Sequence, residues 1–128
     1  MAVRSSCFLF FIISGVALSS CRKDDTVNPS GNIAWTVQVK HHAQIVSDAR
    51  VWIKSGVTQF PGQDTGIYEY GLNCDALGEV SFTELLPGEY YLYCEGNDGV
   101  DDVIGALGQS LSDSRSGKVV TSVLPVTE

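Results

Sequence analysis

Lysine and arginine are scarce in this chain. Eight basic residues stand against fifteen acidic ones, and the formal net charge at pH 7 is −7. The sequence also has no stretch that gathers basic side chains into the stripe that a nucleic acid backbone requires. An acidic surface repels phosphate groups, and it repels anionic lipid headgroups for the same reason. Nucleic acid is therefore excluded as a partner.

Metal-binding residues are also few, with two histidines and four cysteines in the whole sequence. Neither a Cys-x-x-Cys pair nor a spaced group of histidines is present, as a zinc site would require. His41 and His42 are neighbours, and neighbouring residues of a strand point to opposite faces of the sheet. They could share one metal only at a turn, and we expect them to be exposed loop residues. The sequence accordingly predicts no metal and no cofactor.

An apolar run long enough to cross a membrane is missing at the start of the chain. The uncharged stretch Cys7–Leu18 (CFLFFIISGVAL) is shorter than the roughly 20 residues of a spanning helix. It fits the roughly 7–15 residues of a secretory signal core, with Arg4 before it and small polar residues after it. Residues 1–20 are therefore predicted to be a signal peptide.

The residues around the predicted cleavage site, Leu18-Ser19-Ser20-Cys21, resemble the lipobox of bacterial lipoproteins. The resemblance implies that Cys21 becomes the acylated first residue of the mature protein. Each buried methylene group contributes about 0.8 kcal/mol, so two or more acyl chains hold a protein stably. Arg22–Asp25 (RKDD) resembles the signal that sends some Gram-negative lipoproteins to the surface of the outer membrane. A solvated charge cluster at the start of a linker is the alternative.

The remainder divides into a lipidated tether, residues 21–32, and one domain, residues 33–128. Apolar residues alternate with polar ones along most of the domain, and turn-forming residues separate the alternating runs. The inward positions include Ile33, Trp35, Val37, Val39, Ala49, Val51, Ile53, Val80, Phe82, Tyr90 and Leu92. This pattern predicts an all-β fold, a single antiparallel β-sandwich of the transthyretin-like or immunoglobulin-like kind. Residues 96–117 are ambiguous, and their glycines favour a short strand over a helix.

Three motifs in the domain resemble the carboxypeptidase regulatory-like and CnaB-like group of transthyretin-type (prealbumin-like) sandwiches. They are a strand with Ala49 and Val51, a hairpin with Asp75, Gly78, Val80 and Phe82, and a hairpin with Leu85, Pro87, Gly88, Tyr90 and Leu92. The matching stretch covers about the central half of the mature chain. The resemblance implies a scaffold, and a scaffold of this kind hosts many functions.

Two cysteines, Cys74 and Cys94, fall on the inward sides of their strands. Two buried free thiols and a disulfide are both compatible with that position. An exported chain can oxidise, which favours the disulfide.

Three aromatic residues, Trp52, Tyr91 and Tyr93, lie on outward faces if their neighbours face inward. Exposed rings of this kind suit the docking of sugars or proteins, whereas packing against neighbouring strands or cover by residues 96–117 is the alternative. The acidic stretch Asn97–Asp102 (NDGVDD) offers oxygen ligands, and the sequence leaves open whether it binds calcium or is simply solvated.

A catalytic constellation is not apparent, because no nucleophile, base and acid converge in the sequence. We therefore expect no enzyme, but a surface-anchored, non-catalytic binding or structural module of the cell envelope. Its expected partners are the outer membrane, reached through the lipid anchor, and envelope proteins or glycans. The alternative is an accessory hydrolase of the cell surface, which a pocket gathering His41 or His42 with acidic residues would favour.

Overall fold

Alternating side chains organise the chain into strands throughout residues 31–128, the part that the computed structural model describes. The predicted signal peptide, Cys21 and most of the predicted tether lie outside the described residues. Eight strands form within them: β1 (Ile33–His41), β2 (Gln44–Ile45), β3 (Arg50–Ser55), β4 (Tyr70–Asn73), β5 (Glu79–Leu85), β6 (Gly88–Asn97), β7 (Asp102–Leu111) and β8 (Val119–Pro125). Short 3₁₀ turns lie at Thr65–Ile67 and Asp113–Arg115. No helix within residues 31–128 is both long and apolar enough to cross a bilayer.

The strands form two four-stranded sheets. In the first, β1 pairs antiparallel with β2 and β5 and parallel with β8. In the second, the order is β4-β3-β6-β7 and every pair is antiparallel. The predicted all-β sandwich is confirmed, with the difference that β8 runs parallel to β1. Parallel neighbours need a long crossover, and here β2 to β7 supply it.

The inward faces of the two sheets form the hydrophobic core. β1 alternates strictly between buried and half-buried side chains, as the sequence pattern predicts. Trp35 is fully buried at the centre of β1, and its ring Nε1 donates a hydrogen bond to Ser122 Oγ on β8 at 3.0 Å. The other large side chains that are almost completely buried in the core include Phe82, Ile33, Leu92, Leu111 and Leu124. A Trp that buries its apolar ring and satisfies its N–H adds to core stability without a polar penalty.

The ambiguous segment, residues 96–117, contains a full-length strand. β7 pairs with β6 along ten residue pairs, from Gly88 with Leu111 to Asn97 with Asp102. Gly105 lies where β7 passes close to the end of the first sheet, because a Cβ added there would lie 2.2 Å from the Pro125 carbonyl oxygen. The glycine that weakens a helix thus also permits close contact between the two sheets.

The two inward-facing cysteines are buried and free in the structure, which is the first of the two alternatives that the sequence leaves open. The Cys74 N–H donates to the Ala49 carbonyl on one side of β3, while Cys94 pairs with Val51 on the other side. Adjacent strands lie about 4.8 Å apart, so two residues on either side of β3 are separated by roughly 9.6 Å. A disulfide requires Cα atoms within about 7 Å. Burial raises the pKa of Cys74 to about 11 and that of Cys94 to about 12, which keeps both thiols protonated and unreactive.

Candidate functional site

Five aromatic rings gather on the outer face of the second sheet, which we call the aromatic face: Trp52, Phe60, Tyr68, Tyr91 and Tyr93. Trp52 and Tyr93 are cross-strand partners on β3 and β6, and their rings stack with centroids 5.8 Å apart. Tyr68 stacks on Tyr93 at 5.9 Å, and Phe60 contacts Tyr93 at 5.9 Å and Tyr91 at 6.1 Å. Aromatic pairs in such arrangements stabilise a fold beyond the area that they bury.

Tyr93 does not provide the exposed ring that the sequence predicts. Its side chain points to the outer face, but only 1% of the residue is exposed. The connection between β3 and β4 folds back over this face and places Phe60 and Tyr68 against it. The Tyr68 hydroxyl donates to the Gly62 carbonyl at 2.7 Å, which closes the connection on itself. The alternative of a covered ring therefore holds for Tyr93, but the covering segment is the β3–β4 connection and not residues 96–117.

Both covered tyrosines keep their hydroxyl protons. Burial raises the pKa of Tyr68 to about 12. Burial, together with the nearby Glu95 carboxylate, also raises the pKa of Tyr93 far above its ordinary value of 10. The Tyr93 hydroxyl donates to Glu95 Oε2 at 2.7 Å. These two residues are therefore the packed base of the aromatic face, and the rings that stay accessible on it are Trp52, Tyr91 and Phe60.

The two half-buried rings, Trp52 and Tyr91, lie against glycines of the neighbouring strands. Gly71 is opposite Trp52 and Gly108 is opposite Tyr91. A Cβ added at either glycine would lie 2.7 Å from the facing ring. The rings can therefore lie flat against the backbone, as aromatic residues do over glycines in sheets. The Arg50 guanidinium lies 5.6 Å from the Trp52 ring centroid, at cation–π distance.

A polar groove of about 330 Å³ runs beside the Tyr91 ring, and we call it the Tyr91 groove. Its lining residues come from the edge of the second sheet and from the β3–β4 connection: Val57, Thr58, Glu89, Tyr90, Tyr91, Gly108, Gln109 and Ser110. Ser110 Oγ donates to Glu89 Oε1 at 2.9 Å, which fixes a carboxylate at the rim. The groove thus combines one aromatic surface with hydroxyl and carboxylate groups.

The histidines form a second cluster, at the end of β1. His41 is buried, with 7% of the residue exposed, so the expectation of an exposed loop residue is wrong for it. His42 begins the tight turn between β1 and β2 with a φ of 57°, a left-handed conformation that turns the chain. The two rings consequently lie together, with centroids 4.4 Å apart. Alternation places strand neighbours on opposite faces, but it does not apply across this turn.

Two carboxylates face the His41 ring. Its Nδ1 donates to Asp98 Oδ2 at 2.7 Å, and its Nε2 lies 2.7 Å from Glu128 Oε2. The hydrogen bond to Asp98 raises the pKa of His41 above its ordinary 6.5, although burial acts in the opposite direction. The cluster gathers a histidine with acids, as the hydrolase alternative requires. His41 is buried, however, and Asp98 holds its Nδ1, so Nε2, which faces Glu128, is the one ring nitrogen left for a ligand.

The acidic Asn97–Asp102 loop uses its oxygens internally. Asp98 Oδ1 accepts the N–H groups of Val100 and Asp101, each at 2.8 Å, and Asn97 Oδ1 accepts that of Gly99. The backbone hydrogen bonds from Asp101 and Val100, followed by the one from His41, lower the pKa of Asp98 to about 2. These contacts give the calcium hypothesis no support. The loop instead holds a carboxylate in place for His41.

Comparison with known proteins shows the fold and no closer relationship. Neither a family model nor a curated protein matches the chain. Among solved structures, the pilus 2b backbone protein of group B streptococcus superposes with a TM-score of 0.52 and 18% identity over 76% of this chain. The chain spans 40% of the length of that protein. This similarity supports the β-sandwich, and membership of the CnaB-like group stays a prediction.

Two further structures superpose more loosely. A putative carbohydrate binding protein from Pseudomonas aeruginosa aligns with a TM-score of 0.44 and 14% identity, over 75% of this chain and 92% of that one. Catechol 1,2-dioxygenase from Pseudomonas arvilla C-1 aligns with a TM-score of 0.42 and 10% identity, over 82% of this chain and 55% of that one. Superpositions this loose carry no argument about function.

The buried position of Tyr93 leads to a stability prediction. We expect Tyr93→Ala to lower the free energy of unfolding by about 3 kcal/mol, because it removes the ring on which three others pack. Tyr93→Phe keeps that packing and should cost about 1 kcal/mol for the hydrogen bond to Glu95. Urea denaturation measures both changes. A loss below about 0.5 kcal/mol for Tyr93→Ala, as at exposed sites, would show that the ring is not covered.

Proposed function

We propose that this chain is a non-catalytic binding module of the cell envelope, held at the cell surface by acylated Cys21, and that its aromatic face binds a glycan. The observation that carries the proposal is the half-buried Tyr91 ring, which lies against Gly108 beside a polar groove, with the half-buried Trp52 ring on the same face. Phe60, which is 43% exposed, extends the apolar surface between them.

The chemistry of a sugar fits this surface better than that of a protein partner. A pyranose ring has an apolar C–H face that packs on an aromatic ring, and hydroxyl groups around its edge that need donors and acceptors. Tyr91 offers the ring, while Glu89 and Ser110 offer a carboxylate and a hydroxyl group. A stable protein interface buries about 800 Å² on each side and is depleted of charge at its centre. The groove is lined by eight residues, fewer than the roughly 20–30 that each side of such an interface contributes.

The anchor rests on the sequence motifs at the start of the chain. The lipobox-like residues Leu18–Cys21 support acylation, and the RKDD stretch after them supports transfer to the outer surface of the outer membrane. A tether over residues 21–32 could extend at most about 40 Å. The domain would then reach glycans close to the membrane surface but not distant ones.

The glycan proposal predicts binding that depends on the Tyr91 ring. The full-length protein in detergent is titrated calorimetrically with cellohexaose, chitohexaose, mannohexaose and maltohexaose. We expect measurable binding of at least one of them, weakened about tenfold or more by Tyr91→Ala, because a stacked ring contributes about 1.4 kcal/mol. Gly108→Ala should weaken the same binding without removing the ring, since the new Cβ displaces it.

Tyr70→Ala is the matched control, because it removes a tyrosine that is 44% exposed and lies outside the aromatic face. Affinity should be unchanged in this variant. Absence of binding to all four sugars, or equal affinity in the wild type and Tyr91→Ala, would contradict the proposal. The sugar recovered afterwards should be intact, and shortened products would support the hydrolase alternative instead.

The anchor is tested separately, by mass spectrometry of the mature N-terminus of protein purified from its native membrane. We expect an N-terminal peptide that begins at Cys21 and carries two or more acyl chains, because one chain holds a protein only marginally. An unmodified Cys21, or cleavage at another bond, would contradict the lipid anchor while leaving the sugar-binding result unaffected.

A further inference from the structure

We propose that His41, His42 and Glu128 form a binding site for a divalent transition metal ion of the zinc type, at the end of the sandwich where β1 finishes. One ligand atom from each of the three residues lies within 4.8 Å of the other two. This site is independent of the aromatic face, and the sugar-binding proposal does not depend on it.

The first argument is an unsatisfied nitrogen. His41 Nε2 is buried and has no hydrogen-bond partner among the described residues. Glu128 Oε2 lies only 2.7 Å away, but the two groups are not aligned as donor and acceptor. Buried polar atoms in native proteins are nearly always paired, so an exception calls for an explanation. A cation bound by both atoms would satisfy the nitrogen and the carboxylate together.

The second argument is the orientation of the His41 ring. Its Nδ1 donates to Asp98 Oδ2 at 2.7 Å, and Asp98 is itself held by the N–H groups of Val100 and Asp101. Histidines that bind metals commonly donate their other ring N–H to a carboxylate in this way, which fixes the tautomer and leaves the second nitrogen as the ligand. Asp98 is therefore a positioning residue that directs Nε2 toward Glu128.

The third argument is the turn that brings the histidines together. The left-handed backbone of His42 places its ring beside that of His41, with centroids 4.4 Å apart. Tetrahedral zinc with bonds near 2.1 Å separates its ligand atoms by about 3.4 Å. The ligand atoms of the three residues lie within 4.8 Å of one another, and the pair His41 Nε2 and Glu128 Oε2 is 2.7 Å apart. Small shifts of the side chains would therefore bring these separations to the zinc value. His42 and Glu128 are exposed, so their side chains can adjust while His41 stays fixed.

The donor set indicates the class of metal. Two imidazoles and one carboxylate suit zinc, copper or nickel, whereas calcium and magnesium prefer oxygen ligands alone. Three protein ligands leave a fourth position for water or for a group from a partner. The bound ion would also join the β1–β2 turn to the segment that follows β8, and so stabilise the folded state.

Calorimetric titration with zinc chloride tests the site. The full-length protein in detergent, without an affinity tag and after treatment with a chelator, is titrated with zinc. We expect one zinc ion per chain and a higher melting temperature with zinc than without it. His42→Gln and Glu128→Gln should each reduce the zinc affinity about tenfold or more, as the loss of a ligand does. Millimolar calcium should not displace the zinc.

Asp101→Asn is the matched control, because it removes the same charge as Glu128→Gln from an exposed side chain of the neighbouring loop. Its zinc affinity should equal that of the wild type. The site is refuted if the wild type does not bind zinc, if either ligand variant binds as tightly as the wild type, or if Asp101→Asn weakens binding equally. Glu128→Gln changes an exposed side chain, and the melting temperature without zinc shows whether His42→Gln disturbs the left-handed turn.

Discussion

The parallel pairing of β1 with β8 is the constraint on which the rest of the structure depends. Seven consecutive residue pairs join the two strands, from Ala34 with Val119 to Lys40 with Pro125. Because parallel strands cannot be joined by a tight turn, the second sheet is formed entirely by chain that lies between them in sequence. The hydrogen bond from Trp35 to Ser122 crosses this pair, and the Trp35 ring fills the core beneath it. The pairing of β8 with β1 therefore completes the face of the first sheet that packs against the second sheet.

The same pairing separates two surfaces of different chemistry. Beyond β8, the Val126 N–H donates to the Lys40 carbonyl, and Thr127 forms a bridge with Ile104 of the second sheet. These contacts carry the chain onward until Glu128 reaches His41. The aromatic face lies elsewhere, on the outside of the second sheet, and is built by the β3–β4 connection. A ligand on the aromatic face and an ion at the end of β1 would therefore not compete. Strand β6 contributes to both surfaces, because it carries Tyr93 and leads into the loop that contains Asp98.

The alternation of side chains along each strand was enough to predict the fold class and most of the core. Residues such as Trp35 and Phe82 are buried where that pattern places them. Alternation assigns a residue to a face, but it does not say which segment crosses that face, so the sequence did not identify the β3–β4 connection as the segment that covers Tyr93. It also gives no strand order, so it could not show that β3 lies between the two cysteines. The His41 cluster was missed because its members come from a turn, a loop and the segment after β8, which only the tertiary fold brings together. The adjacent histidines were visible in the sequence. The sequence did not predict the left-handed turn at His42, which brings their rings together.

The most direct test of this account is the measurement of scalar couplings across hydrogen bonds by NMR, on protein labelled with ¹³C and ¹⁵N. The parallel register predicts a coupling between the Val126 nitrogen and the Lys40 carbonyl carbon, and another between the Ala34 nitrogen and the Lys118 carbonyl carbon. Observation of both would establish that the first and last strands lie side by side in the same direction. Absence of both, with close contacts that place β8 antiparallel to β1 or beside another strand, would contradict the pairing and the His41–Glu128 proximity that follows from it.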